Sequence, residues 1–140
     1  MPRIDFYILK GRLGEAPQAF ACRLVEKAYQ QGHRLYVHLD GEDSLRHFDE
    51  LLWTFRQGSF VPHARQEDDD EAPVRLGYGD PPSGGDVLLN LARQAPGFHD
   101  RFQRVLEVVG ADEGQVADGR ARFRYYRQQG ETPVTHNLGA

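Results

Sequence analysis

The chain has 140 residues, a formal net charge of −4, and is 39% hydrophobic and 27% charged. Those figures suit one folded domain rather than a disordered chain, and no apolar run approaches the roughly 20 residues of a membrane span. The single cysteine, Cys22, excludes an internal disulfide and a cysteine metal cluster, and the acidic balance argues against a protein that grips duplex DNA by its phosphates.

In chain order, Ile4 to Leu9 is β-branched and aromatic and predicts a short buried strand. Asp5 and Lys10 interrupt any apolar leader, so a cytoplasmic location is expected. Ala16 to Gln31 predicts a helix, because Phe20, Ala21, Leu24, Val25 and Ala28 recur at spacings of three and four, and Gly32 stands at its C-terminal cap. Arg34 to Leu39 predicts a second strand. Gly41-Glu42-Asp43 opens a second helix with Leu45, Phe48, Leu51 and Leu52 on one face, and Asp43 is expected to cap it. Strand–helix–strand–helix order favours an α/β fold: three layers, a mostly parallel sheet with helices on both faces. Gly58 to Ala72 lacks a period and reads as an exposed connection, with an acidic loop near 64–72 that contains the unbroken run Glu67 to Glu71. Val74 to Gly77 suits a third strand, and Gly79 to Gly85 is dense in breakers and reads as a loop. Asp86 to Leu91 is a strand or a short helix. His99 to Arg104 is ambiguous, Arg104 to Val109 suits a last strand, and Asp112 to Gln129 a final helix stopped by Gly130.

Few constellations suggest catalysis. Gly79 to Gly85 has the glycines of a phosphate loop but no lysine, and Asp86 follows, where an acid would repel phosphate. Lys10-Gly11-Arg12-Leu13-Gly14 after the first strand lacks dinucleotide spacing. His33, His38, His47, His63, His99 and His136 lack metal-ligand spacing, so no metal and no cofactor is expected. Cys22 falls among the apolar positions of its helix and reads as a core residue. Asp40, Glu42 and Asp43 flank a strand end, where α/β enzymes often place their chemistry, yet no poised base or nucleophile stands beside them.

Two segments suggest binding. Trp53, the only tryptophan, ends the second helix and meets a loop carrying Phe55, Phe60, Val61, Pro62 and His63. This is either a local core under a loop or a surface with aromatic anchors. In the final helix, Arg120, Arg124 and Arg127 fall in one narrow sector at about 100° per residue, with Val116 and Phe123 on its edge. A basic stripe bordered by apolar side chains suits a ligand both acidic and hydrophobic, such as single-stranded nucleic acid or an acidic peptide ending in an aromatic residue. An ordinary solvated arginine face is the plainer alternative.

Asp5-Phe6-Tyr7-Ile8-Leu9, Ala28-Tyr29-Gln30-Gln31-Gly32, Arg34-Leu35-Tyr36-Val37, and above all Leu51-Leu52-Trp53 through Ser59-Phe60-Val61-Pro62-His63 resemble the chi subunit family of bacterial DNA polymerase III. Tyr125-Tyr126-Arg127 with Gly130 resembles the family's C-terminal helix. The resemblance implies a non-catalytic adaptor in the clamp-loader assembly. It implies one contact with the psi subunit, through Trp53, Phe60, Val61 and Pro62, on a face that a repair helicase would also use. It implies a second contact with the acidic, phenylalanine-terminated tail of single-stranded-DNA-binding protein, through Arg120, Phe123, Arg124 and Arg127 with Val116. Phe123 stands where the family commonly has tyrosine, and the segment between Val109 and Arg120 is shorter than in the enterobacterial form. A small α/β nucleotide-binding enzyme and a direct single-stranded nucleic-acid binder are the alternatives.

Overall fold

A computed structural model describes residues 2–10, 17–55, 60–81 and 85–138. The elements run β1 (Arg3–Leu9), α1 (Pro17–Gln30), β2 (Leu35–His38), α2 (Glu42–Thr54), β3 (His63–Arg65), β4 (Val74–Gly77), β5 (Gly85–Asn90), a 3-10 turn (His99–Arg101), β6 (Phe102–Val109), α3 (Glu113–Gln128) and β7 (Val134–Leu138). The strands form one seven-stranded sheet in the order β3-β4-β2-β5-β6-β1-β7. Every pairing is parallel.

The three layers follow from the hand of the crossovers. A parallel crossover is right-handed, so the direction in which the chain moves along the sheet decides which face its connection covers. β1 to β2 and β2 to β3 both move towards the β3 edge, and α1 and α2 lie together on one face. There Cys22, Val25, Leu45, Phe48 and Leu52 pack on Leu35, Val37, Leu76 and Leu89. β5 to β6 and β6 to β7 move the other way. Their connections cover the second face, where Phe98 and Tyr126 pack on Ile4, Phe6, Tyr36, Leu88, Phe102 and Val105. Cys22 is fully enclosed, as its helical position predicts, and burial pushes its thiol up to about 12.

Two glycines have positive φ, Gly32 (+85°) after α1 and Gly130 (+86°) after α3, where the helices stop as expected. Gly119 serves a different purpose. A Cβ there would come within 2.7 Å of a Val109 methyl, so its bare backbone sets how closely α3 approaches β6. Gly119→Ala, although it improves helix propensity, is expected to destabilise the fold by about 1–3 kcal/mol through overpacking, read from urea denaturation.

Several expectations are corrected. Residues 58–72 are not all connection: His63–Arg65 forms β3, too short to show a period. The acidic residues 67–71 are exposed, and the loop is pinned by Arg65 Nε donating to Glu67 (2.9 Å) and Arg34 to the Asp70 carbonyl (3.3 Å). β7 was not anticipated after Gly130. It is an edge strand of mostly exposed residues, so it carries little hydrophobic signal. Asp43 is not the cap of α2: Gly41 holds that position, and Ser44 Oγ accepts from the Gly41 N–H at 3.1 Å, while Asp43 pairs with Arg46 at 3.1 Å. Residues 85–90 resolve as strand, and 99–101 as the 3-10 turn leading into β6. Residues 11–14, Ala16, 58–59 and 82–84, on which parts of the loop and helix readings fall, lie outside the described residues.

At the other edge of the sheet, Asp5 is enclosed by His136 Nε2 (2.8 Å), Arg104 Nε (3.1 Å) and Arg3 Nε (3.1 Å). Burial pushes its carboxyl up, but these three partners together hold it below the usual aspartate range. A carboxyl depressed in the folded state stabilises above its unfolded value of about 4 and loses that contribution as pH falls through the folded value. Asp5→Asn is therefore expected to lower the melting temperature at pH 7 and to flatten the loss of stability below about pH 4.

Candidate functional site

Two surfaces stand out, on opposite faces of the sheet. The first is aromatic. Trp53, on the last turn of α2, is 52% exposed, and Phe60 is 63% exposed. Their rings lie 5.5 Å apart, and the His63 ring lies 4.7 Å from Trp53. His63 is held in place: its Nδ1 is 2.7 Å from the Val61 carbonyl, and its Nε2 is 3.0 Å from Asp49 Oδ1, at ion-pair distance though outside hydrogen-bond alignment. Val61 is buried in the core below, and Pro62 is half-buried. The segment is thus more than a local core under a loop. Val61 anchors it, and Trp53 and Phe60 face solvent. Glu42, at the opposite end of α2, is clamped by the Arg65 guanidinium, which holds its carboxyl below the usual range. The strand-end acid is therefore committed to a structural ion pair.

The second surface is α3. Asp112 caps it by accepting from the Gln115 N–H at 2.7 Å, and the Gln115 side chain returns to the Asp112 N–H. Gly119, Arg122 and Tyr126 form the buried stripe of this helix. That stripe turns Arg120, Arg124 and Arg127 outward, and all three are exposed. Among the described residues, none of the three has a carboxylate at ion-pair distance. Phe123 and Val116 are half-buried at the border of the stripe, and the Phe123 ring packs edge-on to Phe6 at 5.2 Å.

Arg122 does not belong to the solvated face. Its Nε donates to Glu107 Oε1 at 2.7 Å, and its terminal nitrogens donate to the Arg93 and Val108 carbonyls at 3.2 Å each. Tyr126 Oη donates to Glu107 Oε2 at 2.6 Å, and Asn90 Nδ2 donates to it at 3.0 Å. Burial pushes the Glu107 carboxyl up, with Arg122, Tyr126 and Asn90 opposing. Burial and the adjacent carboxylate raise the Tyr126 phenol. Sequence reasoning missed this network. Its signals were a lone acid inside Val105-Leu106-Glu107-Val108-Val109 and an arginine three residues from Gly119 and four from Tyr126.

A crevice of about 390 Å³ opens beside this network at the carboxyl ends of β5 and β6, where α/β enzymes commonly bind ligands. Its charged groups are paired with each other, Arg93 with Asp118 at 3.5 Å and Arg122 with Glu107. Among the described residues, no group of three histidine, cysteine or acidic side chains is placed to hold a metal ion, and no helix is long and apolar enough to cross a membrane.

A family model described as DNA polymerase III chi subunit, HolC, matches residues 1–133. This chain belongs to the DNA polymerase III chi subunit family. Curated chi subunits agree. The chain is 42% identical over 139 residues to the DNA polymerase III subunit chi of Pseudomonas aeruginosa, covering 99% of this chain and 98% of the relative. It is 25% identical to that of Haemophilus influenzae, covering 96% of each, and 26% identical to that of Escherichia coli, covering 93% of this chain and 94% of the relative. The family match thus runs across both the aromatic surface and the α3 stripe of this chi-family chain.

Proposed function

We propose that this chi-family protein is a non-catalytic accessory subunit of the DNA polymerase III holoenzyme, acting in its clamp-loader assembly during replication. It binds the psi subunit through the Trp53–Phe60 face. Through α3 it binds the acidic, phenylalanine-terminated tail of single-stranded-DNA-binding protein. The observation that carries this reading is the row of exposed Arg120, Arg124 and Arg127, with no carboxylate at ion-pair distance among the described residues, bordered by the half-buried ring of Phe123. The arginines would meet the tail's carboxylates, and the apolar border beside Phe123 would take its terminal ring. Avidity completes the mechanism. One tail binds weakly, but many tails on coated DNA raise the effective concentration and hold the assembly to its template. A repair helicase would compete with psi for the aromatic face.

The test is fluorescence anisotropy of a labelled Asp-Asp-Ile-Pro-Phe peptide with a free carboxylate. Saturable binding that weakens with salt and is lost when the terminal phenylalanine is removed supports the reading. No binding at low salt by the folded protein refutes the tail contact. For the aromatic face, Trp53 is its own reporter. As the only tryptophan, half exposed, it is expected to shift its emission to the blue when psi covers it. An unchanged spectrum in a psi complex would place psi elsewhere.

A further inference from the structure

A groove of about 420 Å³ runs between α1 and the sheet, on the face away from α3. Its floor is Tyr7 of β1 and Arg104 and Leu106 of β6, and its wall is the α1 stripe of Phe20, Arg23 and Lys27. The rings of Tyr7 and Phe20 are 5.6 Å apart, tilted by 49°, and the Arg23 guanidinium stands 5.6 Å from the Phe20 centroid. His136 stacks on Tyr7 at 5.0 Å and fixes that ring from the β7 side.

Charge in and around the groove runs against the chain's acidic total. Arg23 and Lys27 are exposed and four residues apart on one helix face, so they stand side by side along the groove. Arg104 adds a third cation, with its Nε 3.1 Å from Asp5 and a terminal nitrogen 3.4 Å from Tyr7 Oη. The acids nearby are engaged: Asp5 by Arg104, Arg3 and His136, and Asp86 by His33 at 2.8 Å. Glu26 of α1 is buried and, like Arg23, has an interaction of its own.

We propose that this groove binds a segment of single-stranded nucleic acid, with phosphates on Arg23 and Lys27 and a base against the Tyr7–Phe20 wall. Cations in a line beside aromatic faces are what a sequence-tolerant single-strand site requires. A peptide fits less well. The floor strands β1 and β6 are each paired on both sides, so a peptide main chain meets no open strand edge. The ligand is reached through side chains alone, as phosphate contact and stacking demand. The groove lies on the opposite face from the α3 stripe, so the assignment stands or falls independently of the tail contact.

The experiment is anisotropy of a labelled oligodeoxythymidylate of about twelve nucleotides, titrated with the full chain at low and moderate salt. Wild type is expected to bind saturably and more weakly as salt rises. Arg23→Glu with Lys27→Glu, both on the surface, is expected to weaken binding at least tenfold while the protein stays folded. Tyr7→Phe should retain binding, and Tyr7→Leu should weaken it several-fold. Arg120→Ala with Arg124→Ala should leave oligonucleotide binding unchanged. The proposal is overturned by the absence of saturable binding at low salt. It is equally overturned if the α3 variant loses the oligonucleotide while the Arg23/Lys27 variant keeps it. Loss of the acidic peptide rather than the oligonucleotide on changing Arg23 and Lys27 would make the groove a peptide site and sink the nucleic-acid assignment.

Discussion

Arg122→Ala is expected to destabilise the protein by about 3–5 kcal/mol, because it leaves a buried carboxylate without its charge partner. Glu107 of β6 is fully enclosed and accepts from Arg122 and Tyr126 of α3 and from Asn90 of β5, so losing the arginine unbalances a buried network that ties one helix to two strands. Urea denaturation reads the loss. Glu107→Leu alone is expected to cost a similar amount, since it strands the arginine. The combined Glu107→Leu, Arg122→Met variant should recover most of it, because replacing both charges with apolar groups avoids desolvating either. A double variant as unstable as the singles would show that the network's value lies in packing rather than in charge compensation.

Arg120→Ala with Arg124→Ala is expected to weaken binding of the acidic tail peptide by about one to two powers of ten, corresponding to roughly 1.4–2.8 kcal/mol for charge-assisted contacts at an interface. Retention of psi and an unchanged melting temperature should accompany that loss, because both side chains are exposed. Phe60→Ala should do the reverse, losing psi and keeping the tail, as expected for a 63% exposed aromatic anchor. The two effects separate because the surfaces lie on opposite faces of the sheet. Loss of both contacts from either change in a folded protein would refute the two-surface mechanism.

The fold was legible where side-chain periodicity was complete. The apolar stripes of α1 and α2 and the hydrophobic runs of β1, β2 and β4 were long enough, or bounded clearly enough by glycine, to be placed within one or two residues. β3 and β7 were not, for a physical reason: edge strands bury little, so His63–Arg65 and Val134–Leu138 are specified by pairing with β4 and β1 rather than by their own composition. At the candidate sites, the outward sector of Arg120, Arg124 and Arg127 follows directly from helical spacing. The exposure of Trp53 and Phe60 does not, since the same apolar residues could equally have formed a buried cluster; what decides it is that Val61, not they, enters the core. Arg122 was hidden by its neighbours: in a run of alternating arginines, only the phase set by Gly119 and Tyr126 distinguishes the inward one.

The place of β1 in the sheet bears on how the chain is made. Ile4 pairs with Val105 and Asp5 with Val134, so the first strand synthesised waits for the last two before it gains either neighbour. The sheet therefore closes only after both of these later strands have been made, and its contacts are dominated by pairs distant in sequence. Such a topology folds slowly for its size, since long loops must close before the contacts that stabilise them form. Until then the aromatic and β-branched first strand remains uncovered in the nascent chain, a period in which association with other unfolded chains competes with folding.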